Sequence, residues 1–246
     1  MRQLTAAVAV AAIGISVAAC GNSNEGGSAS SSTATTTATK PPLAQPALAA
    51  LLLTPAEVDS VLGVTGSKTL EPFTQLKNDN PADVFPKTYK FPDECLYVTG
   101  PAENSIYAGS GNTAVKGERD GAAPDPDSPN VNQFVVLFPS AQQASAFFTT
   151  SSQRWPACAN RQDTVPADPD GPSITWKVGA VSNANGVLSA TTSVTATKDG
   201  QTMSENCQRA LTVRNNVVID TEACKNDPGD VAVNAANQIA GKVDKQ

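Results

Sequence analysis

The sequence contains no histidine among its 246 residues. Ser-His-Asp and Cys-His nucleophilic sites need an imidazole base, and many zinc and copper sites need imidazole ligands. Histidine is also the side chain that ordinarily changes its charge near neutral pH. The composition therefore excludes the commonest hydrolase sites, histidine-ligated metal sites and a histidine-based pH switch.

The sequence also lacks an uninterrupted run of about 20 apolar residues, the length that a transmembrane helix needs. Its most apolar stretch, residues 6–19, follows Arg2 and ends in Val-Ala-Ala directly before Cys20. A basic start, a short apolar segment and small residues are typical of a signal peptide. A cysteine at the cut is typical of a bacterial lipobox. The alternative is an ordinary secretory signal in which the cysteine is incidental.

We therefore predict a lipoprotein signal peptide over residues 1–19 and diacylglycerol attachment at Cys20. Acyl chains contribute about 0.8 kcal/mol per buried CH₂, so two or three of them hold a protein firmly on a bilayer. The predicted location is the extracytoplasmic face of the cell membrane or the cell surface, with the membrane as a partner through the lipid anchor.

Basic residues are in the minority, at 17 lysines and arginines against 23 acids, and the net charge is −6. Loss of residues 1–19, which contain Arg2 and no acid, would make the charge −7. Nucleic acids and anionic lipid surfaces attract the opposite sign. We expect no nucleic-acid partner.

Four cysteines follow Cys20, at positions 95, 158, 207 and 224. An even number in an exported domain is typical of disulfides, and three pairings are possible. None of the four lies in a C-x-x-C motif, which argues against a redox or zinc site. We favour the sequential pairs Cys95–Cys158 and Cys207–Cys224, because sequential pairing suits neighbouring strands. No metal and no cofactor is predicted, and the acidic loops lack EF-hand spacing.

The chain divides into three regions. After the signal peptide, residues 20–48 form a lipidated tether rich in Ser, Thr and Ala, whose composition predicts disorder. Residues 49–246 then form one domain, which is long enough to bury one sizeable core. Thr54, Pro55 and Glu57 predict a capped helix, Ser140 opens a second, and an apolar stripe over 228–243 predicts a third.

The strands are predicted by β-branched and aromatic residues. They lie at 93–99, 131–138, 173–178, 187–197, 205–213 and 217–223. Asp199-Gly200 and Asn215-Asn216 mark hairpin turns, which make the flanking strands antiparallel. The predicted fold class is α+β: one domain, mainly an antiparallel β-sheet packed with helices, with two disulfides and long loops at 109–130 and 160–172.

Several side chains are candidates for a ligand site. Trp155 beside Arg154 and Arg161 could bind a sugar or an anionic headgroup, or could pack as core beside a disulfide. Arg209 could point into a cleft or pair with an acid such as Glu222. The remaining candidates are Tyr97 and Tyr107, which suit cleft walls, and Thr191 and Ser193, which lie on one hydroxyl-rich strand face. Core packing or a solvated face is the competing interpretation of each.

The order of motifs along the chain resembles the PknH-like extracellular domain, the sensor domain of a mycobacterial serine/threonine kinase and of many mycobacterial lipoproteins. The matching stretches are Leu52-Leu53-Thr54-Pro55-Ala56-Glu57-Val58, Glu94-Cys95-Leu96, Trp155-Pro156-Ala157-Cys158, Cys207-Gln208-Arg209-Ala210-Leu211, Asn216-Val217-Val218-Ile219-Asp220 and Ile239-Ala240-Gly241-Lys242-Val243. The resemblance implies the same sequential disulfides and a sheet-and-helix fold with a V-shaped cleft for an unidentified ligand.

The kinase motifs are missing from this sequence, so the resemblance implies binding without phosphorylation. The leading hypothesis is a non-catalytic sensor-type domain of a cell-envelope lipoprotein, whose cleft binds a small molecule, glycan, lipid or other envelope component. One alternative is a protein-interaction module with an envelope protein as partner. The other is a hydrolase that uses paired carboxylates and no histidine.

Overall fold

The computed structural model describes residues 40–79, 81–125, 128–168 and 171–246. The described helices are α1 (Pro55–Leu62), α2 (Asn104–Tyr107), α3 (Ala141–Arg154) and α4 (Val231–Val243), with short 3-10 helices at Gln45–Leu51, Pro81–Val84, Asp93–Tyr97 and Trp155–Cys158. The described strands are β1 (Lys68–Phe73), β2 (Ala114–Gly121), β3 (Asn130–Leu137), β4 (Gln162–Val165), β5 (Ser173–Val178), β6 (Ser182–Ala184), β7 (Val187–Lys198), β8 (Gln201–Arg214) and β9 (Val217–Cys224). The predictions for residues 1–39 lie outside this range.

All the strands belong to one antiparallel sheet in the order β1-β2-β3-β9-β8-β7-β5-β4, with β6 paired to β7. Its long hairpins form where the sequence predicts them. Asp199 and Gly200, between β7 and β8, both have positive φ (51° and 76°), as a type I′ turn requires. Asn215 starts the β8–β9 turn with a φ of 49°. The observed sheet confirms the predicted α+β fold with a mainly antiparallel sheet.

One face of the sheet is covered by α1, α4 and the 3-10 helix Gln45–Leu51. Buried aliphatic side chains fill this layer, with Leu51 and Ile239 at 0 % exposure. The start of α1 shows the predicted capping box, because Thr54 accepts from the Glu57 N–H and Glu57 accepts from the Thr54 N–H. Such a cap contributes about 1 kcal/mol.

The opposite face carries a second apolar cluster beneath α2, α3 and the 3-10 helices that hold Cys95 and Cys158. The disulfide Cys95–Cys158 joins those two helices, and Cys207–Cys224 joins directly opposed residues of β8 and β9. Both sequential pairs are as predicted. The loops they close, with separations of 63 and 17 residues, correspond to about 4 and about 3 kcal/mol in a chain-entropy estimate.

The structure corrects three local predictions. Residues 93–99, predicted as a strand, begin with the 3-10 helix Asp93–Tyr97, because Pro92 accepts from the Cys95 N–H and two acids follow at the helix start. The predicted loops 109–130 and 160–172 contain β2 and β4, and β1 was missed. The compact unit begins at Lys40 instead of residue 49, because Leu48 and Leu51 are buried in the core.

Candidate functional site

A cleft of about 480 Å³ lies on the face of the sheet that carries the second cluster. Its floor consists of residues from four adjacent strands: Asn130 and Asn132 of β3, Glu222 and Cys224 of β9, Glu205 and Cys207 of β8, and Thr192 and Val194 of β7. Its sides are supplied by β1 and by residues between β1 and α2, namely Lys77, Asp79, Val84, Phe85, Phe91, Thr99, Gly100, Pro101 and Glu103. The cleft therefore combines a polar floor with partly apolar sides.

A row of paired polar residues crosses the floor from one strand to the next. The register places Glu71 opposite Arg119, Arg119 opposite Asn132, Asn132 opposite Glu222, and Glu222 opposite Arg209. Directly opposed side chains in an antiparallel sheet lie close enough to interact. The row alternates acid and base around a central amide. Its first four members line the cleft, whereas Arg209 is buried in the core.

Glu222 has a perturbed pKa. Burial raises its pKa from 4.5 to about 7, and the opposing pull of Lys77 and Arg209 offsets only part of that effect. Asn132 Nδ2 lies 3.3 Å from Glu222 Oε2 and donates to it. The Glu222 carboxyl is therefore close to half-ionised at neutral pH, and it can both donate and accept hydrogen bonds in the cleft.

Glu103 brings a second carboxyl to the cleft, and this one is buried. Its side chain is 2 % exposed, and Oε1 lies 2.9 Å from Lys77 Nζ. Oε2 accepts no hydrogen bond from any described residue, and burial raises the pKa of Glu103 despite the neighbouring ammonium. The backbone fixes this pair, because Lys77 and Glu103 form an isolated β-bridge. A buried acceptor without a donor is costly, so it marks a place where a bound donor would be favourable.

The apolar side of the cleft is built from aromatic rings. Phe91 packs against Trp176 and Phe85 with ring centroids 5.0 and 5.3 Å apart. Trp176 donates its indole N–H to Tyr89 Oη (2.9 Å), which in turn donates to Asp163 (2.8 Å). The hydrogen bonds hold Trp176 in one orientation, so this wall is preformed.

A buried polar network supports the loop beside the cleft. Arg209 donates from Nε and Nη2 to the two oxygens of Asp220, at 2.9 and 2.8 Å. Asp220 Oδ2 also accepts from Tyr107 Oη and from the Ala102 N–H, both at 2.9 Å. Ala102 has a φ of 54°, an unusual value for alanine, and precedes Glu103 directly. The ion pair therefore positions the segment that carries Glu103.

This network also accounts for three predicted ligand residues. Trp155, Tyr107 and Arg209 are each no more than 1 % exposed, and the Arg209 guanidinium lies 5.0 Å from the Trp155 ring centroid. They form part of the core, so they are positioned to hold the cleft in shape and do not line it. Arg209 pairs with Asp220, whereas the sequence suggested an acid such as Glu222.

The other predicted residues are distributed over separate surfaces. Arg154 stacks on Tyr97, 4.4 Å from the ring centroid, and both line a smaller cavity between α2 and α3. Thr191 lines a smaller pocket beside β5, β7 and β8, and Ser193 lines both that pocket and the main cleft. Of the seven predicted ligand residues, only Ser193 borders the main cleft.

Glu205, Cys207 and Cys224 bring their ligand atoms within 4.8 Å of one another. The two sulfurs are bonded to each other in a disulfide, so they offer no thiolate to a metal ion. In the part of the chain that the structure describes, no helix is both long and apolar enough to cross a membrane.

The architecture is that of a disulfide-linked α+β domain with a concave site on one sheet face. The sequence profile of the PknH-like extracellular domain matches residues 43–242, and the chain belongs to that family. It is 35% identical over 202 residues to the serine/threonine-protein kinase PknH of Mycobacterium bovis, covering 82% of this chain and 31% of the kinase. PknH of Mycobacterium tuberculosis H37Rv gives 35% identity, covering 82% of this chain and 29% of the kinase.

The fold agrees with the crystal structure of the extracellular domain of PknH from Mycobacterium tuberculosis. That comparison has a TM-score of 0.68 and 32% identity, and it covers 84% of this chain and 99% of the other. The chain thus spans less than a third of the length of the related kinases and matches their extracellular part.

Proposed function

We propose that this chain is a sensor-type domain on the extracytoplasmic side of the cell envelope that binds a small molecule or envelope component in the main cleft without catalysis. The cleft carries the proposal, because a preformed aromatic wall and convergent polar groups are what a ligand site requires. Membership of an extracellular sensor-domain family supports the same function.

The test uses residues 40–246, which form one compact unit. Native mass spectrometry of the oxidised domain, before and after exposure to envelope extract of the source organism, should reveal a discrete added mass. Glu222→Gln should reduce its occupancy, and Glu118→Gln, on the same sheet but outside the cleft, should not. A folded domain that acquires no adduct would contradict the proposal and favour a protein partner.

Lipid anchoring at Cys20 is a separate part of the proposal, supported by the lipobox sequence. Expression of the full chain in a mycobacterial host should place it in the membrane fraction, and Cys20→Ala should move it out of that fraction. A Cys20→Ala chain that remains membrane-bound would contradict attachment at this residue.

A second candidate function follows from the two carboxyls in the cleft. Burial raises the pKa of both Glu103 and Glu222, and a raised pKa is what a general acid in glycoside hydrolysis needs. This alternative predicts release of reducing sugar from the same extract, with loss of turnover in Glu222→Gln. Binding without any such release would reject it.

A further inference from the structure

The ionisable side chains around the main cleft are unequally divided. Among the described residues, the acids are Glu71, Asp79, Glu103, Glu205 and Glu222, and the bases are Lys77, Arg119 and Lys177. Five acids thus face three bases. A concave, partly apolar site concentrates the field of such an excess, so it attracts positive charge and repels anions.

The bases around the cleft only partly neutralise its acids. Lys77 Nζ lies 2.9 Å from Glu103 and 3.9 Å from Asp79, and the same ammonium also stabilises the charged form of Glu222. One lysine therefore serves three carboxyls, and Glu103 Oε2 still lacks a hydrogen-bond donor among the described residues. A buried carboxylate in this condition is stabilised by an added cationic donor.

The apolar side of the cleft can hold the body of such a ligand. Val84 is 61 % exposed and is one of two large hydrophobic side chains left open to solvent in the described chain. It lines the cleft together with Phe85 and Phe91, and Phe73 contributes from β1. Aromatic faces attract cations as well as apolar groups.

We infer that the cleft selects a ligand that carries a cationic amine on an apolar body, with the ammonium directed to Glu222 and Glu103 and the body against Val84, Phe85 and Phe91. This inference rests on the proposed function and names the ligand class of the same site. An ammonium group supplies the donors that Glu103 Oε2 lacks and adds positive charge where acids are in excess. An anionic ligand would add a further negative charge to the cleft.

The test compares three small probes of one skeleton: tyramine, which is cationic, tyrosol, which is its neutral alcohol, and 4-hydroxyphenylacetate, which is anionic. Amide resonances of residues 40–246 are followed by NMR during titration with each probe. Tyramine should shift resonances of β9 around Glu222 and of the segment around Glu103. It should bind at least about 10-fold more tightly than tyrosol at pH 8, and 4-hydroxyphenylacetate should bind the most weakly.

The pH dependence supplies a second readout. The charged groups that act on Glu222 are Lys77, Arg209, Glu205 and Asp220. With a pKa of about 7 for Glu222, its ionised fraction rises about 30-fold between pH 5.5 and 8. Tyramine stays cationic over that range, so its affinity should rise by up to that factor, whereas the affinity of tyrosol should not.

Glu222→Gln should weaken tyramine binding and flatten its pH dependence, and the matched control Glu118→Gln should bind as the native domain does. The spectrum of each variant without probe reports whether it is folded. Equal binding of tyrosol and tyramine in the cleft, or preference for the anion, would overturn the inference while leaving a ligand-binding cleft in place. Failure of tyramine to shift cleft resonances would also overturn it. Native mass spectrometry with envelope extract tests separately whether the cleft binds a ligand at all.

Discussion

The buried ion pair between Arg209 and Asp220 offers the sharpest test of how the cleft is held in shape. Asp220→Asn keeps the size of the side chain but removes the charge opposite a guanidinium that is 1 % exposed. An unpaired buried charge costs about 3–5 kcal/mol. The asparagine also offers one carbonyl oxygen to donors that now share two carboxylate oxygens. We expect the free energy of unfolding to fall by about 4 kcal/mol.

The assay is equilibrium unfolding in urea with both disulfides intact, for four chains that form a double-mutant cycle. The chains are the native domain, Asp220→Asn, Arg209→Met and the double variant. Because each single change leaves the other partner buried alone, the double variant should be less destabilised than the sum of the single effects by about 2–3 kcal/mol. Equal m-values would show that the unfolded states are comparable.

Two results would refute this reasoning. One is a loss of under about 1 kcal/mol for either single change, which is the range of an exposed ion pair. The other is strict additivity, which would mean that the two side chains do not stabilise each other. Since the Ala102 N–H donates to Asp220, Asp220→Asn should also weaken tyramine binding, through displacement of Glu103.

Three further predictions concern single residues. Because the pKa of Glu222 in the folded chain (about 7) is above its ordinary value of 4.5, the folded state holds more protons between these values, and stability falls as pH rises. Relative to Glu222→Gln, the free energy of unfolding of the native domain should fall by about 3 kcal/mol from pH 4.5 to 7, as measured in urea. A stability difference between the two chains that does not change with pH would contradict the raised pKa. Gly117→Ala should cost about 1–3 kcal/mol, because its new Cβ would lie 2.2 Å from a ring carbon of Phe134. Gly241→Ala in α4, with nothing within 4 Å of the new Cβ, should cost nothing, and equal thermal shifts in the two variants would refute the clash. Thr54→Ala should cost about 1 kcal/mol through loss of the α1 cap, and an unchanged melting temperature would count against that cap.

The parts of the fold that sequence predicts well are those specified by adjacent residues. The capping box at Thr54, the helix start at Ser140 and the turn at Asp199-Gly200 each depend on side chains within four positions of one another. By contrast, β2 reads Ala-Val-Lys-Gly-Glu-Arg-Asp-Gly, which has few strand-forming residues. It is a strand because β1 and β3 pair with it on both sides, and that pairing is not visible in the local sequence.

The site was harder to predict than the fold for the same reason. One of the two alternatives for Arg209 was pairing with an acid of the neighbouring strand such as Glu222. Glu222 does lie directly opposite, yet the guanidinium bonds diagonally to Asp220. The raised pKa of Glu222 comes from burial in a cleft that is assembled from distant segments. Trp155 and Tyr107 are of residue types that often bind ligands. Only their burial in the structure shows that they belong to the core.

A pair of hydrogen bonds at the β8–β9 turn holds the first described residues against the sheet. Asn216 accepts from the Leu43 N–H (2.7 Å) and donates to the Leu43 carbonyl (3.0 Å), so the incoming chain is fastened at this turn. Glu222 and Cys224 lie at the other end of β9, roughly 20 Å away at the rise of an extended strand. The first described residues are therefore held at one end of β9, and the cleft lies at the other.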